Sequence, residues 1–418
     1  MRVQKLAPTG EGVVRGPDGV GFVTGALPGE EVDVEVLETR RSYWRGRALE
    51  VHFASADRRP VPPEGCGGCD WPHYDPAAAR EAKRELFLET MERIGRLPPS
   101  LFGDLPITAS PLRYRLRNRF HATGSGATAK IGAFAARSHQ VTPVTSCEAL
   151  TAGTRRAVEG IGDALARMTV PVVEIATLED REGERRVARV TVADAPAEGR
   201  AAALAPLEDA SRDHFQSVRI QRPDGRRIRG DGVPRLTLEV EGRVFSVAVD
   251  VFFQSNRFAV ADLYRDVREA SRTVAPGAAL DAFGGVGLLA GALLDAGHAV
   301  TSVEGDPAAG REASRTRAGW PEAERWRLVS SSVGGFLAAA PRFDLVVADP
   351  PRAGLGPIAA PLARAAGRLV LYVSCEPPTL ARDLPAILAQ GFVIESARLY
   401  DMFPLTHRLE ALIALRRP

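Results

Sequence analysis

The 418-residue chain is predicted to be a multidomain α/β protein, with a small N-terminal β barrel, a central mixed α+β domain and a C-terminal parallel-sheet domain. Three observations predict this order. Glycines punctuate short β-prone runs in the first segment, prolines at positions 60, 62 and 63 mark a linker, and strand-like and helix-like segments alternate towards the C-terminus. We therefore expect domains at residues 1–57, 58–250 and 251–418.

The composition limits the classes of function. Because 54 basic residues nearly balance 52 acidic ones, for a net charge of +2, a nucleic-acid partner can be inferred only from local clusters. No apolar run approaches the ~18 residues that a membrane span needs, and the N-terminus lacks the apolar core of a signal peptide. Only four cysteines occur. The sequence therefore predicts a cytoplasmic protein without a disulfide framework or a membrane partner.

The N-terminal barrel is a candidate RNA-binding module. Val20–Val23 and Glu31–Leu37 have the composition of strands, and Leu27–Glu30 is a turn signal. Small barrels of this kind often bind oligonucleotides on one face. Cations and stacking rings suited to such contacts are Arg40, Arg41, Tyr43, Trp44, Arg45 and Arg47. The alternative is a solvated basic loop.

The central region contains a basic segment, Arg113–Phe120, between predicted helices at Pro76–Ile94 and at about 151–168. If the segment is a strand, alternation places its four arginines on one face. Like charges in a row repel one another, and a phosphate backbone would neutralise them. The pattern favours contact with RNA or DNA over a plain solvated face.

The C-terminal region has the alternation of a parallel sheet with crossover helices. A helix is expected at Leu288–Asp295, and Glu410–Leu415 is expected to add an edge strand. The other candidate strands are Ala279–Phe283, Ala299–Glu304, Leu328–Val329, Phe343–Ala348, Leu369–Val373 and Phe392–Leu399.

Cys375 is the most informative residue of this region. The apolar run Leu369–Val373 leads directly to it, and Pro377 and Pro378 end the strand just beyond. The thiol is therefore predicted at the carboxyl end of a buried strand, where open α/β sheets place their ligands. The alternative is an inert core cysteine. A nearby cation, Arg352, is expected to lower the pKa of the thiol.

Several further residues are predicted at the same sheet edge. The glycine-rich segment Asp281–Gly287 opens a helix, and Glu304 ends the next strand, a spacing typical of sites for nucleoside-containing cofactors. Asp349 ends a strand because prolines follow it, although Asp-Pro is also a common turn opener. The amide of Gln254 could bind a cofactor carboxylate or a base edge, and an ordinary polar loop is its alternative.

Glu410 precedes the apolar run that ends the chain. A carboxylate at the mouth of a buried strand is partly desolvated, which raises its pKa and suits it to proton abstraction. The alternative is an ordinary surface residue.

Taken together, these motifs resemble the RNA uracil-5 methyltransferase family, which methylates ribosomal or transfer RNA with S-adenosylmethionine. The resemblance covers nearly the whole chain and includes an N-terminal barrel similar to a TRAM, OB-like domain and a C-terminal Rossmann-like methyltransferase domain. The motifs that carry it are Phe252–Asn256, Asp281–Gly287, Asp349–Gly354, Tyr372–Asp383 and Asp401–Glu410.

The resemblance implies roles for individual residues. Cys375 would be the nucleophile, adding to carbon 6 of a uracil, and Glu410 the base that removes the carbon 5 proton. Gln254, Phe283, Glu304 and Asp349 match positions that hold S-adenosylmethionine. The implied product is 5-methyluridine in rRNA or tRNA, made by a monomer. The alternatives are carbon-5 methylation of another RNA base, and a non-catalytic RNA-binding protein with a vestigial methyltransferase domain.

The other three cysteines form a separate group. Cys66 and Cys69 are spaced as Cys-x-x-Cys, and Cys147 is distant, a combination that suggests a metal or iron–sulfur site. Relatives with a 4Fe–4S cluster have a fourth cysteine, and its position here is occupied by Pro60, which cannot be a ligand. Either the cluster is labile or lost, or one of these residues completes the site: His52, Asp57, Glu64, His73 or His139.

Overall fold

A computed structural model describes residues 1–16, 19–61, 67–135, 138–193, 200–230, 232–339 and 341–418. Their strands are β1 Lys5–Leu6, β2 Gly12–Gly16, β3 Gly19–Thr24, β4 Glu31–Thr39, β5 Tyr43–Phe53, β6 Ile107–Thr108, β7 Arg117–Thr123, β8 Lys130–Phe134, β9 Val141–Thr142, β10 Val172–Glu179, β11 Arg186–Val192, β12 Ser217–Gln221, β13 Arg227–Arg229, β14 Arg235–Val240, β15 Arg243–Ala248, β16 Ala278–Ala282, β17 Ala299–Glu304, β18 Trp326–Ser330, β19 Phe343–Ala348, β20 Ala366–Ser374, β21 Val393–Tyr400 and β22 Glu410–Arg416.

The helices alternate with the strands mainly in the C-terminal half. They are α1 Pro76–Gly95, α2 Ala152–Leu165, α3 Arg200–His214, α4 Ala259–Arg272, α5 Leu288–Asp295, α6 Pro307–Ala318, α7 Val333–Leu337, α8 Ala359–Ala365 and α9 Pro377–Leu388. Short 3₁₀ turns occur at Pro99–Phe102, Gly126–Thr128, Ala323–Arg325 and Gly356–Ile358. Within the described ranges, none of the helices combines the length and apolar character that a membrane crossing requires.

The N-terminal sheet has the strand order β1-β2-β3-β5-β4 and curls back on itself. A bridge between Arg2 and Glu31 connects the start of the chain to β4. The strands predicted at Val20–Val23 and Glu31–Leu37 are confirmed as β3 and β4. Position 21 requires glycine, because a Cβ atom there would lie 2.2 Å from the buried ring of Trp44.

The central sheet has the order β13-β12-β11-β10-β7-β8-β9, and α2 and α3 pack against each other beside it. The prediction of a strand over the whole basic segment is wrong in its first half. Arg113 has a left-handed backbone (φ 59°), and β7 begins only at Arg117. The predicted alternation does hold, since the arginines are exposed or half-buried, whereas the intervening residues from Tyr114 to Phe120 are buried.

The C-terminal sheet has eight strands, in the order β18-β17-β16-β19-β20-β22-β21-β6. Strands β16 to β20 are mutually parallel, as predicted. The expected edge position of the last strand is wrong. Strand β22 lies between β20 and β21 and runs antiparallel to both. The edge is instead β6, contributed by residues far earlier in the chain.

Elements that precede residue 250 pack against this C-terminal layer. Helix α1 begins at a proline behind the N-cap Asp75, whose carboxylate accepts hydrogen bonds from two backbone N–H groups of the first turn. It packs against α9, and the β14–β15 hairpin packs against α6. Buried Lys83 of α1 donates to Asp401 at 2.5 Å. These contacts position α1 beside the carboxyl edge of the large sheet.

Candidate active site

Five of the six residues predicted for catalysis or cofactor binding meet at one edge of the large sheet. Phe283, Asp349 and Cys375 directly follow β16, β19 and β20, and Glu304 is the last residue of β17. Glu410 is the first residue of β22, and because this strand is antiparallel, its start lies at the edge where the parallel strands end. The sheet topology thus brings the carboxyl ends of four strands and the amino end of a fifth together.

Cys375 and Glu410 lie on neighbouring strands. The last paired residues are Ser374 and Ala411, so continuation of the register by one residue places Cys375 opposite Glu410. Directly opposed residues of an antiparallel pair project from the same face of the sheet. The thiol is partly accessible, whereas Glu410 is only 2% exposed.

The environment of Cys375 disfavours its thiolate. Burial raises the pKa of the thiol to about 12, and the neighbouring carboxyls of Glu410 and Asp349 act in the same direction. Arg352 does act to lower the pKa, as expected, but burial and the carboxyls outweigh it. The sequence-based expectation of a lowered thiol pKa is therefore wrong. Activation of the thiol requires a further positive charge or a proton acceptor.

Glu410 is a buried carboxyl with a raised pKa and one oxygen that lacks a hydrogen bond from the described residues. Burial, followed by the charge of Asp349, raises the pKa of this carboxyl well above its ordinary value. Its Oε1 atom is buried and has no hydrogen-bond partner among the described residues. A buried acceptor without a partner is costly in a folded protein, and such atoms are often paired only when a ligand is bound.

The glycine-rich loop after β16 is shaped by left-handed backbone. Phe283, Gly285 and Gly287 have φ values of 66°, 54° and 96°. The backbone N–H groups of Phe283 and Gly284 donate to the carbonyl of Val303 at 3.0 and 3.1 Å, which holds the loop against the end of β17. A Cβ atom at Gly287 would lie 2.2 Å from the ring of Trp326, so that position requires glycine.

Glu304 is tied to the same loop. Its Oε2 atom accepts a hydrogen bond from the Gly285 N–H at 2.8 Å, and its Oε1 accepts from the Asp306 N–H at 2.6 Å. The carboxylate of the second strand therefore faces the glycine turn of the first, as the sequence spacing predicts. Glu304 is half-buried at the end of its strand, the position at which an acid can accept hydrogen bonds from a ribose.

Asp281 is a site residue that the sequence analysis did not single out. It lies in β16, is 1% exposed, and accepts a hydrogen bond from Ser302 Oγ at 2.9 Å. Its Oδ1 atom has no partner among the described residues, and burial raises the pKa of the carboxyl to about 7. The sequence signal that could have identified this residue is an acid inside an otherwise apolar strand. The carboxyl is buried beside the glycine loop that follows β16, and the backbone of Ala290 in α5 acts to lower its pKa.

Gln254 contacts a different member of the site. It is 4% exposed, and its Nε2 donates to Asp349 Oδ2 at 3.0 Å. Burial raises the pKa of Asp349 to about 7, and the hydrogen bond from Gln254 opposes that rise. The amide therefore joins the start of the C-terminal region to the strand end at Asp349, and both side chains lie at the predicted site.

Asp383 holds the loop that follows Asp349. Its carboxylate accepts hydrogen bonds from the N–H groups of Leu355 (2.6 Å) and Gly356 (3.0 Å) and from the Tyr372 hydroxyl (2.7 Å). A Cβ atom at Gly354, which has φ 75°, would lie 2.5 Å from this carboxylate. One buried acid on α9 thus fixes the Arg352 loop beside the helix that follows Cys375. In sequence, Asp383 looks like an ordinary polar helix residue.

The loop before Glu410 is anchored by residues distant in sequence. Asp70 accepts hydrogen bonds from the backbone N–H of His407 (3.0 Å) and from its ring Nδ1. The Trp71 N–H donates to the Leu405 carbonyl at 2.9 Å, and its indole donates to Gly10 at 2.7 Å. The segment after the Cys-x-x-Cys motif therefore links the N-terminal sheet to the loop that carries Glu410.

The structure brings two of the three remaining cysteines together. Cys69 and Cys147 line one cavity of about 230 Å³, which His121 and Phe134 also line. Cys66 lies outside the described residues, as does Glu64. His139 packs edge-on against Phe134, with ring centroids 5.3 Å apart.

The described residues do not complete a four-ligand cluster site. In the described part of the chain, three ligand atoms converge only at Asp33, Glu50 and His52, an exposed group on the N-terminal sheet. Of the other candidates for the fourth ligand, Asp57 accepts at its carbonyl from the Asp75 N–H, and His73 is buried with a pKa lowered to about 4 by burial. Among the described residues, neither side chain forms a group of converging ligand atoms with Cys69 and Cys147.

Comparisons with known proteins place this site in context. A family model described as tRNA (Uracil-5-)-methyltransferase matches residues 336–418. An uncharacterized RNA methyltransferase of Streptomyces avermitilis is 30% identical over 440 residues, covering 99% of this chain and 97% of the relative. One of Listeria innocua is 27% identical over 453 residues, covering 100% and 97%.

Among solved structures, the chain is similar to the Pyrococcus abyssi tRNA (uracil-54, C5)-methyltransferase in complex with S-adenosyl-L-homocysteine. The TM-score is 0.75 at 22% sequence identity, and the match covers 99% of both chains. This likeness extends over the whole chain and concerns the fold.

Proposed function

Because the chain belongs to the RNA uracil-5 methyltransferase family, we propose that it forms 5-methyluridine in rRNA or tRNA with S-adenosylmethionine as methyl donor. The single observation that carries this proposal is the register of β20 and β22. It sets the thiol of Cys375 opposite the buried carboxyl of Glu410, whose Oε1 has no hydrogen-bond partner among the described residues. Carbon-5 methylation of a pyrimidine calls for a nucleophile that adds to carbon 6 and a base that removes the carbon 5 proton.

The residues at the glycine loop fit the methyl donor. In this proposal Glu304 binds the ribose hydroxyls and Phe283 contacts the base of the donor, and the hydrogen bond between Glu304 and the glycine loop supports the first of these roles. The carboxyls of Asp281 and Asp349, whose pKa values burial raises to about 7, would supply negative charge when ionised, which suits a donor that carries an amine and a sulfonium. When bound, S-adenosylmethionine supplies an electrophilic methyl group. Its positive charge also favours the ionised forms of neighbouring carboxyls and of the Cys375 thiol.

The residues of the chain divide the reaction into two steps. The Cys375 thiolate adds to carbon 6 of the uracil, and the displaced electron pair moves to the carbonyl oxygen, which makes carbon 5 nucleophilic. After carbon 5 has gained a methyl group, Glu410 removes the carbon 5 proton. The electrons of that bond restore the ring double bond, and the sulfur leaves carbon 6 as the thiolate. The target base must leave its stack to reach the thiol.

The test is methyl transfer by the purified protein to rRNA and tRNA transcripts, followed by mass spectrometry of the nucleosides. We expect 5-methyluridine, and its complete loss in the Cys375→Ala protein. The appearance of 5-methylcytidine would move the activity to another base. An active Cys375→Ala protein would exclude the covalent mechanism, and absence of any methylated nucleoside would favour a non-catalytic RNA-binding role.

We also propose the finer organisation of the chain. Residues 1–57 act as a TRAM-like RNA-binding barrel, residues 58–250 as a central domain, and residues 251–418 as the methyltransferase domain of a cytoplasmic monomer. A 4Fe–4S cluster on Cys66, Cys69 and Cys147 remains a separate proposal, and no catalytic step depends on it. It predicts iron, sulfide and visible absorption in anaerobically purified protein. Colourless, metal-free protein with full activity would contradict it.

A further inference from the structure

A cavity of about 770 Å³ lies between the N-terminal sheet and helix α1. Strands β1, β2, β3 and β5 form one wall, and residues Glu89 to Ile94 form the other. We call it the barrel groove. Its residues come from two regions that are separated in sequence, and the sequence patterns alone did not connect them.

The barrel groove carries an excess of positive charge. Lys5, Arg15, Arg45 and Arg93 line it, whereas among its described lining residues Glu89 is the one carboxylate. Glu89 is shared, since it pairs with both Lys5 (2.6 Å) and Arg93 (3.0 Å). Arg45 is also paired, with Glu11 at 3.4 Å, so four cations meet two carboxylates. Ion pairs near the surface contribute little to stability, so these cations can also contact another anion. The groove is therefore suited to a polyanion rather than to a neutral ligand.

The groove also offers a surface for stacking. Phe22 lines it and is half-buried. The Arg45 guanidinium lies 5.7 Å from the ring centroids of both Phe22 and Tyr43. Aromatic rings and guanidinium planes beside a cationic track bind unstacked bases with little regard to sequence. Duplex RNA keeps its bases stacked and offers no such faces, so this chemistry selects single strands.

The groove leads to the proposed nucleophile. A narrow crevice lined by Cys375, Glu376 and Arg408 shares two lining residues, Pro8 and Thr90, with the barrel groove. The two cavities therefore adjoin across these residues. A strand whose flipped base reaches the thiol has a cationic path along the groove for its neighbouring nucleotides.

We infer that the barrel groove binds single-stranded RNA that flanks the target base. The inference rests on the proposed function for its choice of RNA as the polyanion. It differs from the sequence-based expectation, in which the basic residues after β4 formed the surface. Of that set, Arg45 lines the groove, and the other three cations of the groove come from β1, β2 and α1.

The test compares two charge-reversal variants that change the net charge equally. Arg15→Glu with Arg93→Glu alters the groove. Arg212→Glu with Arg226→Glu alters exposed arginines outside it, and Arg212 is paired with a helix neighbour, Asp209, as Arg93 is with Glu89. Binding of a fluorescein-labelled oligouridylate and of a matched RNA duplex is measured by anisotropy at several salt concentrations, without methyl donor.

We expect the groove variant to bind the oligouridylate at least tenfold more weakly, with the slope of log K against log salt reduced by about 1.4, for two lost phosphate contacts. The control variant should bind as the unaltered protein does. Phe22→Leu, which keeps an apolar side chain, should weaken binding about tenfold without changing that slope. Equal affinities of the groove and control variants, or duplex bound as tightly as single strands, would overturn the inference.

The outcomes separate this inference from the proposed function. If the unaltered protein makes 5-methyluridine and the groove variant binds normally, the groove inference fails and the function stands. If the groove variant loses oligonucleotide binding while the unaltered protein makes no 5-methyluridine, the groove stands and the proposed function fails.

Discussion

Replacing Glu410 with glutamine tests the central pair of the proposed site. Glutamine matches glutamate in size and removes both the charge and the ability to accept the carbon 5 proton. Loss of a positioned general base typically slows a reaction by about 10²–10⁴-fold, and we expect a fall of that size in methyl-transfer turnover. The Cys375 addition step remains possible, so the covalent protein–RNA adduct should accumulate after methylation.

The same substitution should not weaken the fold. Asp349 follows β19 and Glu410 begins β22, and these strands lie on either side of β20, so two strand spacings, or about 10 Å, separate their backbones. At an effective dielectric constant near 20, like charges at this distance repel by about 1–2 kcal/mol. Because burial raises the pKa of Glu410 above its ordinary 4.5, the native protein loses stability as the pH rises above that value. The Glu410→Gln protein should therefore be more stable at about pH 8, with a smaller gain at about pH 5.

The assay combines methyl incorporation, denaturing gels of labelled RNA and urea unfolding at the two pH values. Glu376→Gln is the matched control, because it removes a carboxylate next to Cys375 that is 31% exposed and pairs loosely with Arg408 at 3.7 Å. The control should retain turnover within a few-fold and form no persistent adduct. Turnover by Glu410→Gln equal to that of the control would refute the assignment of the base.

Three further outcomes follow from the geometry. Alkylation of Cys375 by iodoacetamide, followed by peptide mass spectrometry, should accelerate about tenfold per pH unit up to at least pH 10 without a plateau, because the pKa of the thiol is about 12; a plateau near neutral pH would contradict the burial argument. Asp383→Ala leaves three donors without their acceptor and should lower the free energy of unfolding by about 3–5 kcal/mol in urea titrations, with turnover lost from the folded fraction; unchanged stability would contradict the described contacts. Lys83→Met should destabilise the protein by about 3–5 kcal/mol because it leaves Asp401 buried without its cation, and Lys83→Met with Asp401→Asn should recover part of that loss in the same titrations.

The sequence predicted those features that depend on local pattern. The end of the apolar strand at Cys375, the glycine loop and the acid at Glu304 follow from strand length and turn residues, and the structure brings them to one edge. Contacts between distant segments could not be predicted in this way. Asp383 accepts a hydrogen bond from Leu355, 28 positions away, and Lys83 pairs with Asp401, 318 positions away. In the sequence, a polar helix residue looks the same whether it faces water or a buried partner.

The position of β22, which the sequence predicted at the edge of the sheet, shows why topology decides which residues meet at this site. The composition of Glu410–Leu415 indicated a strand, but the burial of β22 on both faces results from its insertion between β20 and β21, which no local pattern encodes. In an all-parallel sheet, only residues that end strands reach the ligand edge. The antiparallel insertion lets a residue that begins a strand reach the same edge. Glu410, the proposed base, is thereby held opposite Cys375, the proposed nucleophile, by the backbone hydrogen bonds of two neighbouring strands. An edge strand with one free side would hold it less rigidly.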